Sequence, residues 1–85
     1  MPEQLHILTP SQRAQLRALW QAGATSYERA RAAFAIEGFD EPLIAMLRRF
    51  DLVAVRKPPA ARNPLFYLTP AGVGEARKPT EASHG

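Results

Sequence analysis

The sequence predicts an α+β fold, mainly α: a three-helix core, a β-hairpin and a short C-terminal helix. Three observations carry that prediction. "LTP" occurs at 8–10 and again at 68–70, each time setting a capping threonine before a proline suited to the first helical turn. Between them, apolar residues recur at helical spacing in three successive stretches up to Phe50. Then "LVAV" and "LFYL" flank "RKPPAARNP", a stretch whose prolines no helix could carry.

The first helix is expected over 10–22. Gln12 stands three residues after Thr9, the spacing of a capping box, and Leu16, Leu19 and Trp20 share one face that should enter the core. Gly23 is the expected stop. A second helix is expected over 26–36, capped by Thr25 with Glu28 or by Ser26, with Tyr27, Ala30 and Phe34 inward. Gly38 breaks the pattern and supplies a turn. Asp40 then caps a third helix over 41–50, where a carboxylate satisfies free N–H groups and complements the dipole. Leu43, Met46, Leu47 and Phe50 converge on its inner side, with Ile44 on the border. Glu41, Ala45, Arg48 and Arg49 remain outside, acidic first and basic last.

The apolar runs after Asp51 read as two strands joined by a proline-stiffened loop, too long for a two-residue turn. Pro58, Pro59 and Pro64 make no P-x-x-P pattern, so an SH3-ligand reading is set aside. Thr69 and Pro70 open a last helix expected over 70–77. The divisions that follow are a segment 1–8, a domain 9–77 and a small, polar tail 78–85 expected to be disordered.

Composition narrows the function classes. The 85 residues suit one domain, and 46% hydrophobic with 22% charged residues is too apolar for wholesale disorder. Without cysteine there is neither a disulfide framework nor a thiolate metal site. No apolar run approaches a membrane span and the N-terminus lacks the pattern of a signal peptide, so a cytoplasmic protein is expected. His6 and His84 lie near opposite ends, and no G-x-S-x-G, phosphate loop or metal-ligand spacing occurs. An enzyme is not expected, nor a cofactor or a metal.

Charge does point somewhere. The net charge is +3, and Arg48, Arg49, Arg56, Lys57 and Arg62 cluster with only Asp51 against them. Such a cluster is either a solvated basic surface or the footprint of a polyanion.

The order of elements resembles the winged helix-turn-helix domain. "FDLV" at 50–53 and "YLTPAG" at 67–72 resemble the hairpin start and return of regulators of the multiple-antibiotic-resistance and phenolic-acid-response type. The resemblance covers about 10–77. It implies a small DNA-binding transcriptional regulator of bacterial or phage origin, the third helix in the major groove and the loop 57–64 as the wing. Double-stranded DNA would then meet Glu41, Ala45, Arg48 and Arg49 from the helix and Arg56, Lys57 and Arg62 from the hairpin. Glu41 fits such a surface by accepting from a cytosine amino group. Asp51 stands where those regulators often carry glycine, and the turn before the third helix lacks their polar, base-reading opening. A homodimer would have to use the first helix, "QLHIL" at 4–8 or the last helix. The alternative is that the same fold is a protein-interaction module, an adaptor or phage-type inhibitor, whose groove helix is free to change sign.

Overall fold

The computed structural model describes residues 8–60 and 62–78. These form an α+β domain of three α-helices and a three-stranded antiparallel sheet: α1 Pro10–Gln21, β1 Arg31–Ala32, α2 Glu41–Arg49, β2 Val53–Arg56, β3 Leu65–Leu68 and α3 Pro70–Arg77. The expected tail beyond Lys78 and most of the N-terminal segment, including the proposed dimer segment "QLHIL" apart from Leu8, lie outside the described residues.

Helix starts follow their sequence signals. In α1 the Thr9 hydroxyl accepts from the Gln12 N–H at 3.1 Å while the Thr9 N–H donates to Gln12 Oε1 at 2.9 Å, so the capping box closes in both directions. Asp40 accepts from the Leu43 N–H, and Thr69 from the Gly72 N–H at 3.0 Å. The stops also have a common physics. Gly23 at φ +84° and Asp51 at φ +65° each follow a C-cap, and the residue after each donates back to the helix: Ala24 to the Leu19 carbonyl and Leu52 to the Leu47 carbonyl. Both are Schellman ends. Asp51 therefore does occupy a left-handed position that glycine would fill more cheaply.

The core gathers Leu16 and Leu19 of α1, Ile44 and Leu47 of α2, Leu52, Val53, Phe66 and Leu68 around the hairpin, and Ala76 of α3. The sheet order is β1-β3-β2, with Val55 opposite Phe66 and Arg31 also opposite Phe66. Alternation puts Val53, Val55, Phe66 and Leu68 on the core side, and Ala54, Arg56, Leu65 and Tyr67 on the other.

Three expectations are corrected. The helix expected over 26–36 does not form. Its residues make two single 3₁₀ turns, Tyr27–Arg29 and Ala33–Ala35, on either side of β1, so the three-helix core loses its middle member. Alanine propensity favours a helix there, but an isolated helix of this length is marginal and tertiary contacts decide. Ser26 gives no side-chain cap, whereas pairing of Arg31–Ala32 with β3 satisfies backbone groups and buries Ala32 and Ile36. The supposed inner face is turned out, with Tyr27 54% and Phe34 84% exposed.

Trp20, expected in the core, is 41% exposed. The buried stripe of α1 is Gln12, Gln15, Leu16 and Leu19, and Trp20 lies one residue past it. In α2 the buried side chains are Ile44 and Leu47, while Met46 is 42% exposed. The inner face is thus turned toward Ile44 from the side the sequence suggested.

One close approach holds the two halves together. The Leu52 carbonyl accepts from the Thr69 N–H at 3.1 Å, and the Asp51 carbonyl accepts from the Thr69 hydroxyl at 2.7 Å. Gly72 passes so near this strand entry that a Cβ would collide with the Leu52 carbonyl, whereas Gly74 faces open space. Replacing Gly72 by Ala should destabilise the domain by about 2–4 kcal/mol, since backbone must move. Gly74→Ala should instead stabilise it by roughly 0.5–1 kcal/mol, and Asp51→Gly by about 1 kcal/mol through relief of its positive φ. Urea unfolding followed by circular dichroism separates the three.

Candidate functional site

The surface in question is built where α2 meets the hairpin. Its inner residues Ile44 and Leu47 seat the helix on the core, which leaves Glu41, Ala45 and Arg48 on the flank turned to β2 and β3. Glu41, Ile44, Ala45, Arg48, Val55, Lys57, Pro64 and Phe66 line one groove of about 210 Å³. Beyond it, Ala45, Arg48, Arg49, Val53, Ala54 and Val55 form a more open surface. The structure therefore brings together five of the seven residues singled out from the sequence: Glu41, Ala45, Arg48, Arg49 and Lys57. Among the described residues, none of the charged ones in that group has a hydrogen-bonded or ionic partner.

Arg56 and Arg62 stand apart. Arg56 falls on the opposite face of the hairpin, where its Nη1 donates to the Tyr27 carbonyl at 3.2 Å and its guanidinium lies 4.8 Å from the Tyr27 ring centre. Tyr27 also meets Tyr67 edge-on at 5.7 Å. This cation–π contact ties the 27–29 turn to the sheet, a structural use of a charge that the sequence grouped with the others. Arg62 is exposed in the connection between β2 and β3 and lines neither part of the surface.

The acidic front of α2 divides into two roles. Asp40 spends a carboxylate oxygen on the Leu43 N–H as the expected cap. Glu41, one residue on, has no such employment and faces the groove.

What positions α2 was not foreseen. Gln15 of α1 is buried, and its amide donates to the Gly38 carbonyl at 2.8 Å while its oxygen accepts from the Asp40 N–H at 3.0 Å. One side chain thus grips both ends of the turn that starts α2. Gln12, also buried, donates to the Met46 sulfur at 3.8 Å. Phe39 stacks obliquely on Phe66, ring centres 5.0 Å apart, and holds the same turn to the sheet. A signal for Phe39 did exist: an apolar residue before the cap with Ile44 at the fourth helical position is the pattern of a hydrophobic staple.

A second cavity of about 330 Å³ adjoins the first, lined by Ala33, Phe34, Phe39, Glu41, Asn63, Pro64 and Phe66. Glu41, Pro64 and Phe66 belong to both, so an apolar cleft continues into a cationic groove with one carboxylate at the boundary. Sequence reasoning missed Phe34 here because it placed that ring inside a helix.

No group of three or more metal-ligating side chains occurs among the described residues, and no helix among them is long and apolar enough to cross a membrane. Comparison with protein-family models, with curated proteins and with solved structures finds no match to this chain.

Gln15→Ala should cost about 1–3 kcal/mol, because the Gly38 carbonyl and the Asp40 N–H, both in part-buried hydrogen bonds, lose their partner together. The loss should be concentrated at the start of α2, with faster amide hydrogen exchange at Asp40 than at Leu19.

Proposed function

We propose that this chain is a small winged-helix DNA-binding protein acting as a transcriptional regulator, with α2 as the groove helix and the 57–64 connection as the wing. The observation that carries the reading is the shared groove: the outer flank of α2 and the hairpin present Arg48, Arg49 and Lys57 on one side of the molecule, all unspent among the described residues. Phosphate oxygens would neutralise such cations, while groups on the helix flank met base edges. The element order supports it, since a helix runs directly into an antiparallel hairpin and β1 pairs with the far side of β3. The helix expected before the groove helix is here reduced to the turns Tyr27–Arg29 and Ala33–Ala35, so the start of α2 is held by Gln15 and Phe39 instead.

Arg62 joins the phosphate contacts as a second exposed cation of the wing beside Lys57, and Arg56 does not, being held by Tyr27. With about three to four phosphates neutralised, anisotropy titrations on random duplex DNA should give a log–log salt slope of roughly −3 to −3.5. Replacing both Arg48 and Lys57 by Ala should reduce that slope by about 2 and weaken binding. Arg56→Ala should leave it nearly unchanged. An absence of binding to duplex at low salt would reject the reading and leave the protein-interaction module as the use of this fold.

A further inference from the structure

Phe34 has no place in the core. It is 84% exposed, yet the short turn that carries it is held on both sides, by β1 paired to β3 before it and by buried Ile36 after it. A large aromatic ring fixed outward at the mouth of an apolar cleft is an unusual way to spend surface. Within the same cavity stands Glu41, a carboxylate with no partner among the described residues. The cavity thus presents one strong acceptor beside an apolar wall of Phe34, Phe39 and Pro64, at the front of the helix proposed to enter the major groove.

We propose that this cleft reads 5-methylcytosine in duplex DNA, Glu41 accepting a hydrogen bond from the N4 amino group and Phe34 covering the 5-methyl group. The inference rests on the DNA-binding reading above and specifies its ligand. The argument is one of matching edges. In the major groove, cytosine presents an amino donor, and carbon 5 is the next ring atom, so a methyl there lies directly beside the donor. Plain cytosine satisfies Glu41 but leaves Phe34 facing water. Thymine offers the methyl, but its O4 is an acceptor and would meet the Glu41 carboxylate with like polarity. The methylated base satisfies both walls at once. Arg48 lies seven residues further along the same flank, about 10 Å by helical rise, and so serves a neighbouring base pair or phosphate rather than the same base. Arg48, Arg49 and Lys57 offset the repulsion that Glu41 alone would suffer near phosphate.

The test is an anisotropy titration on random duplex pools differing only in pyrimidine methyl groups: cytosine throughout, 5-methylcytosine throughout, and uracil in place of thymine. The expected result is about fourfold tighter binding of the methylcytosine pool, the value of one buried methyl at about 0.8 kcal/mol, with no loss on the uracil pool. Phe34→Ala, at a site too exposed to threaten the fold, should abolish the difference while keeping the affinity for unmethylated DNA and its salt slope. Glu41→Ala should abolish it as well. Equal affinity for the cytosine and methylcytosine pools would overturn the proposal and leave the DNA-binding reading standing. So would weaker binding confined to the uracil pool, which would assign Phe34 to thymine, or a methyl preference that survives Phe34→Ala. If no pool binds at low salt, both readings fall together.

Discussion

The junction between the end of α2 and the start of α3 is the constraint on which the rest of the molecule depends. Within a few residues the chain reverses at Asp51, enters β2, and meets its own return at Thr69 and Gly72. Two carbonyls are consumed there, that of Asp51 by the Thr69 hydroxyl and that of Leu52 by the Thr69 N–H. The Thr69 hydroxyl meanwhile caps α3 by accepting from Gly72. One side chain therefore closes the hairpin and starts a helix, and only a residue without a Cβ can stand at position 72 while it does so. Backbone groups that have no water must be paired somewhere; here the pairing also fixes the angle at which the hairpin leaves α2. That angle sets the groove.

The other end of α2 is held by different means. Near Asp51 the tie is backbone and hydroxyl; near Asp40 it is a buried amide. Gln15 occupies a position on the inner stripe of α1 that an apolar residue could fill with less desolvation cost. Its two hydrogen bonds to the 38–40 turn recover that cost and give a directional hold that apolar packing would not. With the 26–36 helix missing, α2 has no regular helix immediately before it to lean on. Gln15 and the Phe39–Phe66 pair do that work in its place. Dynamics should follow this division, because a turn held by two hydrogen bonds and one ring pair opens more readily than a core strand.

These two ends also explain what could be read in the sequence. Caps, stops and the hairpin were legible because their signals are local: Thr9, Asp40, Thr69, Gly23 and the prolines act on neighbours within four residues. Asp51 was legible as a glycine substitute only through the resemblance, in which glycine often holds that position. The failure at 26–36 is of another kind. Nothing within that stretch announces that Arg31 and Ala32 will pair with residues near 65, and alanine-rich composition argues for a helix until that pairing is known. Among site residues, helix periodicity placed Glu41, Ala45, Arg48 and Arg49 on the outside of α2, whereas Lys57, grouped with them by the charge cluster and the resemblance, lines the same groove. The grouping of Arg56 with them rested on the same charge cluster and resemblance, neither of which says which face of the strand it takes. Adjacent residues in a strand point to opposite faces, and Tyr27, whose position depended on the unforeseen turn, was waiting on the other one.

The acidic start of α2 then ceases to be a contradiction. A helix N-terminus attracts carboxylates for its own reasons, and Asp40 satisfies them by capping. If Glu41 were only a second contribution to the dipole, its best surroundings would be open water at the helix tip. Instead the hairpin closes beside it: Pro64 and Phe66 form one wall, Ala45 leaves the space clear, and Phe34 stands across the mouth. Glu41 stays exposed beside these apolar groups, so its carboxylate is open to a donor that a partner brings. Arg48 could supply that donor from the same groove, and does not form the ion pair. The pair stays separate on one helix flank, an acceptor framed by apolar walls and a donor framed by open surface. That separation is what an edge with an ordered sequence of donors, acceptors and methyl groups would require, and a uniformly basic helix could not provide it.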